Sequence, residues 1–540
     1  MPTLLRDAGM AQITRASAPR PARRRTPRPR KAMILVIVLV AVVLISLAGY
    51  AFSEMMLAHY DGAQRMGRRA QSDALAQSGM EYVRAFMEQH WELRSSQGGT
   101  YDNPERFQAK MVVPGLAPEE VGAFSVVAPA LDPDGYFAGV RYGMEDESAR
   151  LNVNVFAEAG KFGFDDQQIN DSLVAALPGM TPDIADAILD YIDANEDVRS
   201  FGAESDYYLG LSPPYRAKNG PLETVEELLL VKGVTPQLLF GQDVNRNFQI
   251  DPFEENLPTG DGADPGDPSS AFGWLPYLTL DSAEKNGDAV GDPKVDLNQE
   301  DLAKLTEELA EHFKPDEITF IVAYRQSGAV KDDELEPPPS GRLDLDLDVE
   351  PEGKITQVLD LIEAKTKAIA KDGGEYLVES PADPGFLERL MEHGTSVAAD
   401  TIPGRININL ASRRVLAAIP GMPLEAVDEI LARRAETDFK EFDTLHPYET
   451  WIYSEGLVSL DEMKMLMPLT TAGGDVMRAQ VVGYFLDGTA SSRCEILVDA
   501  SGERPVVRFW RDLSHLGRGY SLETLGIPTD GAAVDAVAAP

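Results

Sequence analysis

The pattern of apolar and polar positions divides the chain into segments of different kinds. The run AMILVIVLVAVVLISLAGYAFS, from Ala32 to Ser53, contains no charged residue. As a helix it would be roughly 33 Å long, about the thickness of the hydrocarbon core of a bilayer. We predict a transmembrane helix here. A buried core helix and a cleavable secretory signal, whose apolar region is usually only ~7 to 15 residues long, are the alternatives.

Further along the chain, apolar residues recur at helical spacing in some segments and at every second position in others. Apolar residues recur at helical spacing over 54–97, which predicts a stalk. Short segments such as YFAGVRY and, near the end, RCEILVDASG alternate as strands do. The segment DLNQEDLAKLTEELAEHF predicts a helix capped near Asn298.

The resulting division of the chain has ten parts. They are a basic cytoplasmic leader (1–31), a transmembrane helix (32–53), a helical stalk (54–97), a first group of strands (98–164), a first helical hairpin region (165–241), a loop with a connecting helix (242–330), an acidic linker or insertion (331–354), a second helical hairpin region (355–470), closing strands (471–529) and a flexible tail (530–540).

A helix, Pro-Gly turn, helix pattern occurs twice. AALPGMTPDIADAILD begins at residue 175, and AAIPGMPLEAVDEILA begins at residue 417. An Asn-x-Asn pair precedes each copy (Asn152 and Asn154, then Asn407 and Asn409), and PLETVEELLLVKGVT (221–235) after the first copy is matched with DFKEFDTLHP (438–447) after the second. Such hairpins either bind phosphate through the turn amides or serve as scaffolding. The acids around the first copy favour scaffolding.

Charge decides which compartment and which partners are compatible with the chain. Residues 1–31 contain nine Lys or Arg and one acid, a net +8, so a total of −39 leaves −47 for the rest. The body therefore repels nucleic-acid backbones. The basic cluster places the N-terminus in the cytoplasm and the body outside it. The lone Cys494 excludes an intramolecular disulfide.

Several segments together resemble one protein family. They are the basic leader with its apolar helix, AILDYIDANEDVRSFGAESDYY (187–208), PPYRAKNGPLETVEELLLVKGVT (213–235) and GRININLASRRVLAAIPGM (404–422). This combination resembles the K-type minor pseudopilins of type II secretion systems, the general secretion pathway protein K family. The resemblance implies an α+β fold, in which a long N-terminal pilin-like helix and a small antiparallel sheet carry an inserted all-α, helix-hairpin-helix-like region in two copies.

The resemblance also implies a function, a location and partners. The chain would be an inner-membrane, single-pass protein with a periplasmic body, at the tip of the pseudopilus with the I- and J-type pseudopilins. It would contact the inner-membrane secretion platform, and prepilin peptidase would cut it between Ala32 and Met33. The fifth mature residue would then be Ile37 instead of the Glu of major pilins. A membrane-anchored DNA-uptake protein and a calcium-stabilised exported structural protein are the alternative functions.

One loop has the spacing of a calcium site. DVNRNFQIDPFE places oxygen-bearing residues at all coordinating positions of a twelve-residue EF-hand loop, with Phe248 where Gly is usual. The predicted ligands are Asp243, Asn245, Asn247, Gln249 through its carbonyl, Asp251 and Glu254. A solvated Asn/Asp turn is the alternative. Weaker candidate ligands are Asp190, Asp193, Asp197 and Glu204.

The sequence contains no recognisable catalytic constellation. It has one Cys, no HExxH and no Gly-rich phosphate loop. The histidines have no metal-ligand spacing and are predicted to be single surface residues: His59, His90, His312, His393, His446 and His515. We therefore expect a protein that acts by assembly and is not an enzyme.

Overall fold

The structure, a computed structural model, describes residues 31–156, 160, 163–257, 267–330, 335–338, 343–437 and 439–527. The predicted tail, all of the basic leader before residue 31 and much of the acidic segment 331–354 lie outside these ranges. The chain divides into two units, one ending at Gly67 and the other beginning at Arg68.

The described helices and strands follow one another in a fixed order. The helices are α1 (Lys31–Met87), α2 (Trp91–Ser96), α3 (Pro104–Phe107), α4 (Val153–Phe156), α5 (Asp166–Ala176), α6 (Pro182–Ile192), α7 (Ser205–Leu209), α8 (Pro236–Phe240), α9 (Leu302–Leu309), α10 (Pro315–Ser327), α11 (Gly385–His393), α12 (Arg413–Ala417), α13 (Leu424–Glu436), α14 (Phe439–Leu445), α15 (Trp451–Ser454) and α16 (Leu460–Leu466). The strands are β1 (Lys110–Val113), β2 (Gly122–Leu131), β3 (Phe137–Tyr142), β4 (Glu145–Asp146), β5 (Leu151–Asn152), β6 (Leu278–Thr279), β7 (Ala283–Lys285), β8 (Val295–Asp296), β9 (Lys365–Ile369), β10 (Glu375–Glu379), β11 (Gly394–Thr395), β12 (Thr401–Pro403), β13 (Ile406–Asn407), β14 (Thr470–Thr471), β15 (Val476–Phe485), β16 (Ser491–Asp499) and β17 (Val506–Asp512).

The first unit contains the apolar part of α1. Its large apolar side chains are exposed from Met33 to Tyr60. A window of the helix has a mean hydropathy of 2.9, so α1 is long and apolar enough to cross a membrane.

The second unit is organised around one antiparallel sheet. The strand order is β1-β2-β15-β16-β17, with β3 paired to β2 and β4 paired to β15. The register brings Val126 opposite Val481, and Val481 opposite Cys494. The chain leaves this sheet after Asp146 and returns to it at Val476, so nearly all other elements form an insertion between β4 and β15. The predicted fold class, a sheet with inserted helical regions, is confirmed.

The C-terminal half of α1 packs on this sheet. Its buried apolar residues, Val83 and Phe86 among them, share a core with Phe124, Val481 and other strand residues. The helix lies so close that a Cβ on Gly483 would be 2.3 Å from a backbone nitrogen of α1. Glycine is therefore required at this point of the central strand β15.

Both predicted hairpins form, as α5–α6 and α12–α13. Each turn contains a glycine in the left-handed region, Gly179 at φ 67° and Gly421 at φ 82°. This explains the Pro-Gly pair, because the left-handed conformation is easily accessible only to glycine. Helices α5 and α12 pack against each other, so the first helices of the two copies meet in one core.

Two local predictions differ from the structure. Helix α1 ends at Met87, and a separate helix begins at Trp91. Asn298 does not cap the following helix: Asp301 does, by accepting hydrogen bonds from the amides of Ala303 and Lys304. Asn298 instead holds the main chain of Ile355, donating to its carbonyl (2.8 Å) and accepting from its amide (3.0 Å).

Candidate metal centre

The calcium-type loop folds around two buried carboxylates. Asp243 is 7% exposed and Glu254 is 0% exposed. The Asp243 carboxylate accepts from the amides of Asn247 (3.0 Å) and Phe248 (2.8 Å). The Glu254 carboxylate accepts from the amides of Asn245 (3.1 Å) and Asp251 (3.0 Å). The first and last predicted ligands thus hold the loop together from the inside.

Phe248 adopts the conformation that the glycine of such a loop normally provides. Its φ is 59°, and Arg246 two residues earlier has a φ of 56°. A non-glycine residue in the left-handed region costs about 1–2 kcal/mol. The loop therefore makes its sharp turn at Phe248, at the cost of backbone strain. The predicted ligands lie on either side of this turn.

The remaining ligand positions fit a cation that prefers oxygen. The side-chain oxygen of Asn245 is buried and accepts no hydrogen bond within the described chain. Asp251 Oδ2 accepts from the side-chain amides of Asn245 (2.6 Å) and Asn247 (3.0 Å). Gln249 donates its amide to Asn247 Oδ1 (2.8 Å), the usual turn within such loops. Burial, with a contribution from Glu254, raises the pKa of Asp243 to about 6. A Ca²⁺ ion would supply the positive charge that these buried oxygens lack.

The loop is fastened to the sheet by residues that the sequence analysis did not identify. Arg493 on β16 is fully buried and donates to the carbonyl of Asn245 (2.5 Å). Gln480 on β15 donates to the carbonyl of Arg246 (2.7 Å). Asn247 donates to the carbonyl of Gly519 beyond the last strand (2.7 Å). The only sequence signal was an arginine beside the apolar residues of a predicted strand, RCEILVDASG.

The second predicted group of acids is partly brought together. Ligand oxygens of Asp190, Asp193 and Glu204 all lie within 4.8 Å of one another. Asp197 is exposed and lies outside this group. Arg199 donates to Asp190 Oδ1 (2.8 Å) and to Asp193 Oδ2 (2.5 Å).

Within this group, Glu204 is the carboxylate that Arg199 does not contact. Both of its carboxylate oxygens are buried and have no hydrogen-bond partner within the described chain. Burial, and then the neighbouring Asp190 and Asp193, raise the pKa of Glu204 to about 7. One arginine faces three carboxylates, so this cluster also offers free oxygens to a hard cation such as Ca²⁺.

We predict that Glu204→Gln stabilises the metal-free protein at pH 8 by about 1–2 kcal/mol, because it removes an unpaired buried charge. The pKa of Glu204 is about 7 in the folded state against an ordinary 4.5. The native state therefore holds this proton more tightly, and stability falls as pH rises from about 4.5 through 7. Urea unfolding in EGTA at pH 5.5 and pH 8 measures the effect.

The matched control for this experiment is Asp206→Asn, a charge removal at an exposed neighbour. It should leave both curves unchanged. Equal stability of Glu204→Gln and the parent at pH 8 would contradict the assignment of an unpaired charge to Glu204.

The prediction of single surface histidines is wrong for His312, His393 and His446. The rings of His312 and His393 stack with centroids 4.1 Å apart. His446 packs on Trp451 (4.5 Å between centroids) and lies 3.0 Å from Glu455. Sequence separation hid the His312–His393 contact, since it forms only when the insertion folds.

Comparison with known proteins identifies one segment of the chain. Residues 149–240 match the family model described as "Type II secretion system (T2SS), protein K". The matched segment includes the first hairpin and the second acid cluster. Among solved structures, the GspK-GspI-GspJ complex from the enterotoxigenic Escherichia coli type 2 secretion system is similar at 10% identity, over 85% of this chain and 98% of that chain, with a TM-score of 0.30. No curated protein matches.

Proposed function

We propose that this chain, whose residues 149–240 match the model of type II secretion protein K, works as a minor pseudopilin at the tip of the pseudopilus. It acts by assembly: the apolar part of α1 holds the subunit in the inner membrane before packing into the filament, and the inserted body forms the periplasmic end. The I- and J-type pseudopilins are its proposed neighbours, with the secretion platform and prepilin peptidase as transient partners.

The observation that carries this proposal is the combination of the family match with a pilin-like frame. The match covers residues 149–240. Around it, a helix from Lys31 to Met87 leads into a sheet whose strands flank the whole insertion. A membrane-bound filament subunit needs such a helix, while the size of the insertion suits an end position, where no further subunit must stack on top.

The residue that the proposed cleavage would leave at the fifth mature position also suits the tip of the pseudopilus. Cleavage between Ala32 and Met33 would leave Ile37 as the fifth mature residue. A subunit without a carboxylate there does not neutralise the N-terminal amine of a neighbour beneath it. This absence fits the end of a filament better than its interior.

We predict that Met33→Pro and Ala32→Leu block processing, because both change residues that flank the proposed peptide bond. Intact-mass spectrometry of membrane-extracted protein gives the mature N-terminus. The control is Ala41→Leu, which enlarges a side chain within the apolar run and should still be cut. Normal maturation of both test variants would move the processing site elsewhere.

Calcium has a structural part in this proposal. The oxygen ligands of residues 243–254 lie on a loop that the sheet residues Arg493 and Gln480 hold. A bound Ca²⁺ would stiffen that loop and so fix the insertion to the pilin-like sheet. The second acid cluster would do the same within the first hairpin region. Both sites then serve the rigidity of the tip and no catalytic step.

Co-purification tests the proposed role. The full-length chain, tagged at its C-terminus and extracted in mild detergent, should bring down the I- and J-type pseudopilins of its own secretion system. The control is an unrelated single-pass membrane protein with the same tag. Deletion of the gene for this chain should stop secretion. Normal secretion without the chain, or DNA binding at low salt without any pseudopilin partner, would reject the proposal.

A further inference from the structure

Three distant segments meet at one point of the insertion. Asp288 lies in the turn that follows β7, Glu392 and His393 end α11, and His312 follows α9. Ligand atoms of Asp288, Glu392 and His393 all lie within 4.8 Å of one another. The group combines two carboxylates with an imidazole and is separate from both oxygen clusters described above.

The two carboxylates are held in place and keep free oxygens. Asp288 Oδ1 accepts from the amides of Val290 (3.1 Å) and Asp292 (2.8 Å). Glu392 Oε1 accepts from the amide of Ala289 (3.0 Å). The second oxygen of each carboxylate makes no hydrogen bond to the described residues. The turn therefore orients both groups and leaves one ligand atom on each.

The imidazole of His393 is also held in place by a neighbouring ring. The His393 ring is half-buried and stacks on the His312 ring at an interplanar angle of 21°. This stacking fixes the plane of the His393 ring beside the two carboxylates. The nearby Lys294 donates to the carbonyl of Met391 (2.6 Å), so its ammonium group is held by the main chain of the same helix end.

We propose that Asp288, Glu392 and His393 bind a divalent transition-metal ion of the Zn²⁺ type. Zinc takes imidazole nitrogen and carboxylate oxygen in four-coordinate sites, and water would occupy the remaining position. Calcium prefers six to eight oxygens, so the imidazole distinguishes this site from the EF-hand-like loop. His312 is a positioning residue that fixes the His393 ring by stacking.

The bound ion would add a further connection between segments that hydrogen bonds of Asn286 and Ala289 already join. It ties the turn at 286–292 to the C-terminal end of α11, at the place where β8 and β11 form a two-residue parallel pair. The site would thus stabilise the junction between the connecting region and the second helical region. This inference is independent of the proposed role in secretion.

Zinc binding to the full-length chain in detergent tests the proposal. The protein is dialysed against ZnCl₂ as the probe in a buffer that keeps saturating Ca²⁺ and is analysed for metal content, with isothermal titration in the same buffer for the dissociation constant. We expect one Zn²⁺ per chain that excess Ca²⁺ does not displace. His393→Gln and Asp288→Asn should each weaken binding at least about tenfold, while thermal melts without zinc stay unchanged.

Two matched controls separate this site from unspecific binding. His515→Gln removes another histidine and should retain the ion. His312→Phe keeps an aromatic ring on His393 and should also retain it, whereas His312→Ala should bind zinc more weakly. Absence of zinc binding, displacement by Ca²⁺, or unchanged affinity in both His393→Gln and Asp288→Asn would overturn the proposal.

Discussion

Glu254→Gln should abolish the part of the stabilisation by Ca²⁺ that the loop of residues 243–254 provides. Glu254 is the expected bidentate ligand, and both of its oxygens already point into the loop through bonds to the amides of Asn245 and Asp251. At free Ca²⁺ a hundredfold above the dissociation constant, binding stabilises a protein by ~2.7 kcal/mol. We expect this site to raise the melting temperature of the parent by about 3 °C on adding Ca²⁺. The variant should lose that gain and keep only what the cluster of Asp190, Asp193 and Glu204 contributes.

Glu255→Gln is the matched control, because it removes the same charge one residue away on the exposed side of the loop. It should keep the full response to Ca²⁺. The measurement is a thermal melt in EGTA and in excess CaCl₂. A full Ca²⁺ response in Glu254→Gln, or no response in the parent protein, would exclude the loop as a calcium site.

This loop shows which parts of a site are predictable from sequence. The spacing from Asp243 to Glu254 identifies the candidate ligands because they are local, and it identifies Phe248 as the strained position. The contact of Arg493 with Asn245 could not be predicted, since 248 residues separate the two and only the folded sheet brings them together. The same limit explains why the His312–His393 pair was missed.

For the fold too, local features are predictable from the sequence and distant contacts are not. Hydrophobic period and turn residues predict the long helix, both hairpins and the closing strands. They do not predict that the chain crosses from Asp146 to Met477 within one sheet, because strand pairing at this separation depends on the whole insertion. The cap at Asn298 failed for a related reason: a tertiary contact with Ile355 uses this side chain.

The structure also explains the duplication better than the sequence does. In each copy a two-residue strand ending in asparagine pairs in parallel with a threonine-containing strand, β5 with β6 and β13 with β14. The second asparagine then holds a later segment, Asn154 at Leu222 and Asn409 at His446.

The segments 221–235 and 438–447 that the sequence matches are therefore the ones that Asn154 and Asn409 hold, through Leu222 and His446. Since α5 packs on α12, each copy covers the apolar face of the other. The two hairpins form one core, which neither would build alone.

The largest loss of stability is expected for Glu147→Ala, at the junction of sheet and insertion. Glu147 is fully buried, and Arg478 of β15 binds it with two nitrogens at 2.6 and 3.0 Å. Thr279 of β6 also donates to this carboxylate. Burial alone would raise the pKa of Glu147, but Arg478 and Arg150 outweigh it and the pKa is lowered. The carboxylate is therefore ionised, and its removal leaves the buried Arg150 and the half-buried Arg478 without this partner.

We expect Glu147→Ala to lower the free energy of unfolding by about 3–5 kcal/mol, as found when one partner of a buried ion pair is removed. Glu81→Ala is the control, because its pair with Arg84 is exposed and should contribute less than about 1 kcal/mol. Urea unfolding at pH 7 measures both. Since the lowered pKa stabilises the fold only while Glu147 is ionised, the difference between the parent and Glu147→Ala should shrink below pH 4.5. Equal losses in the two variants would mean that Glu147 does not hold the insertion to the sheet.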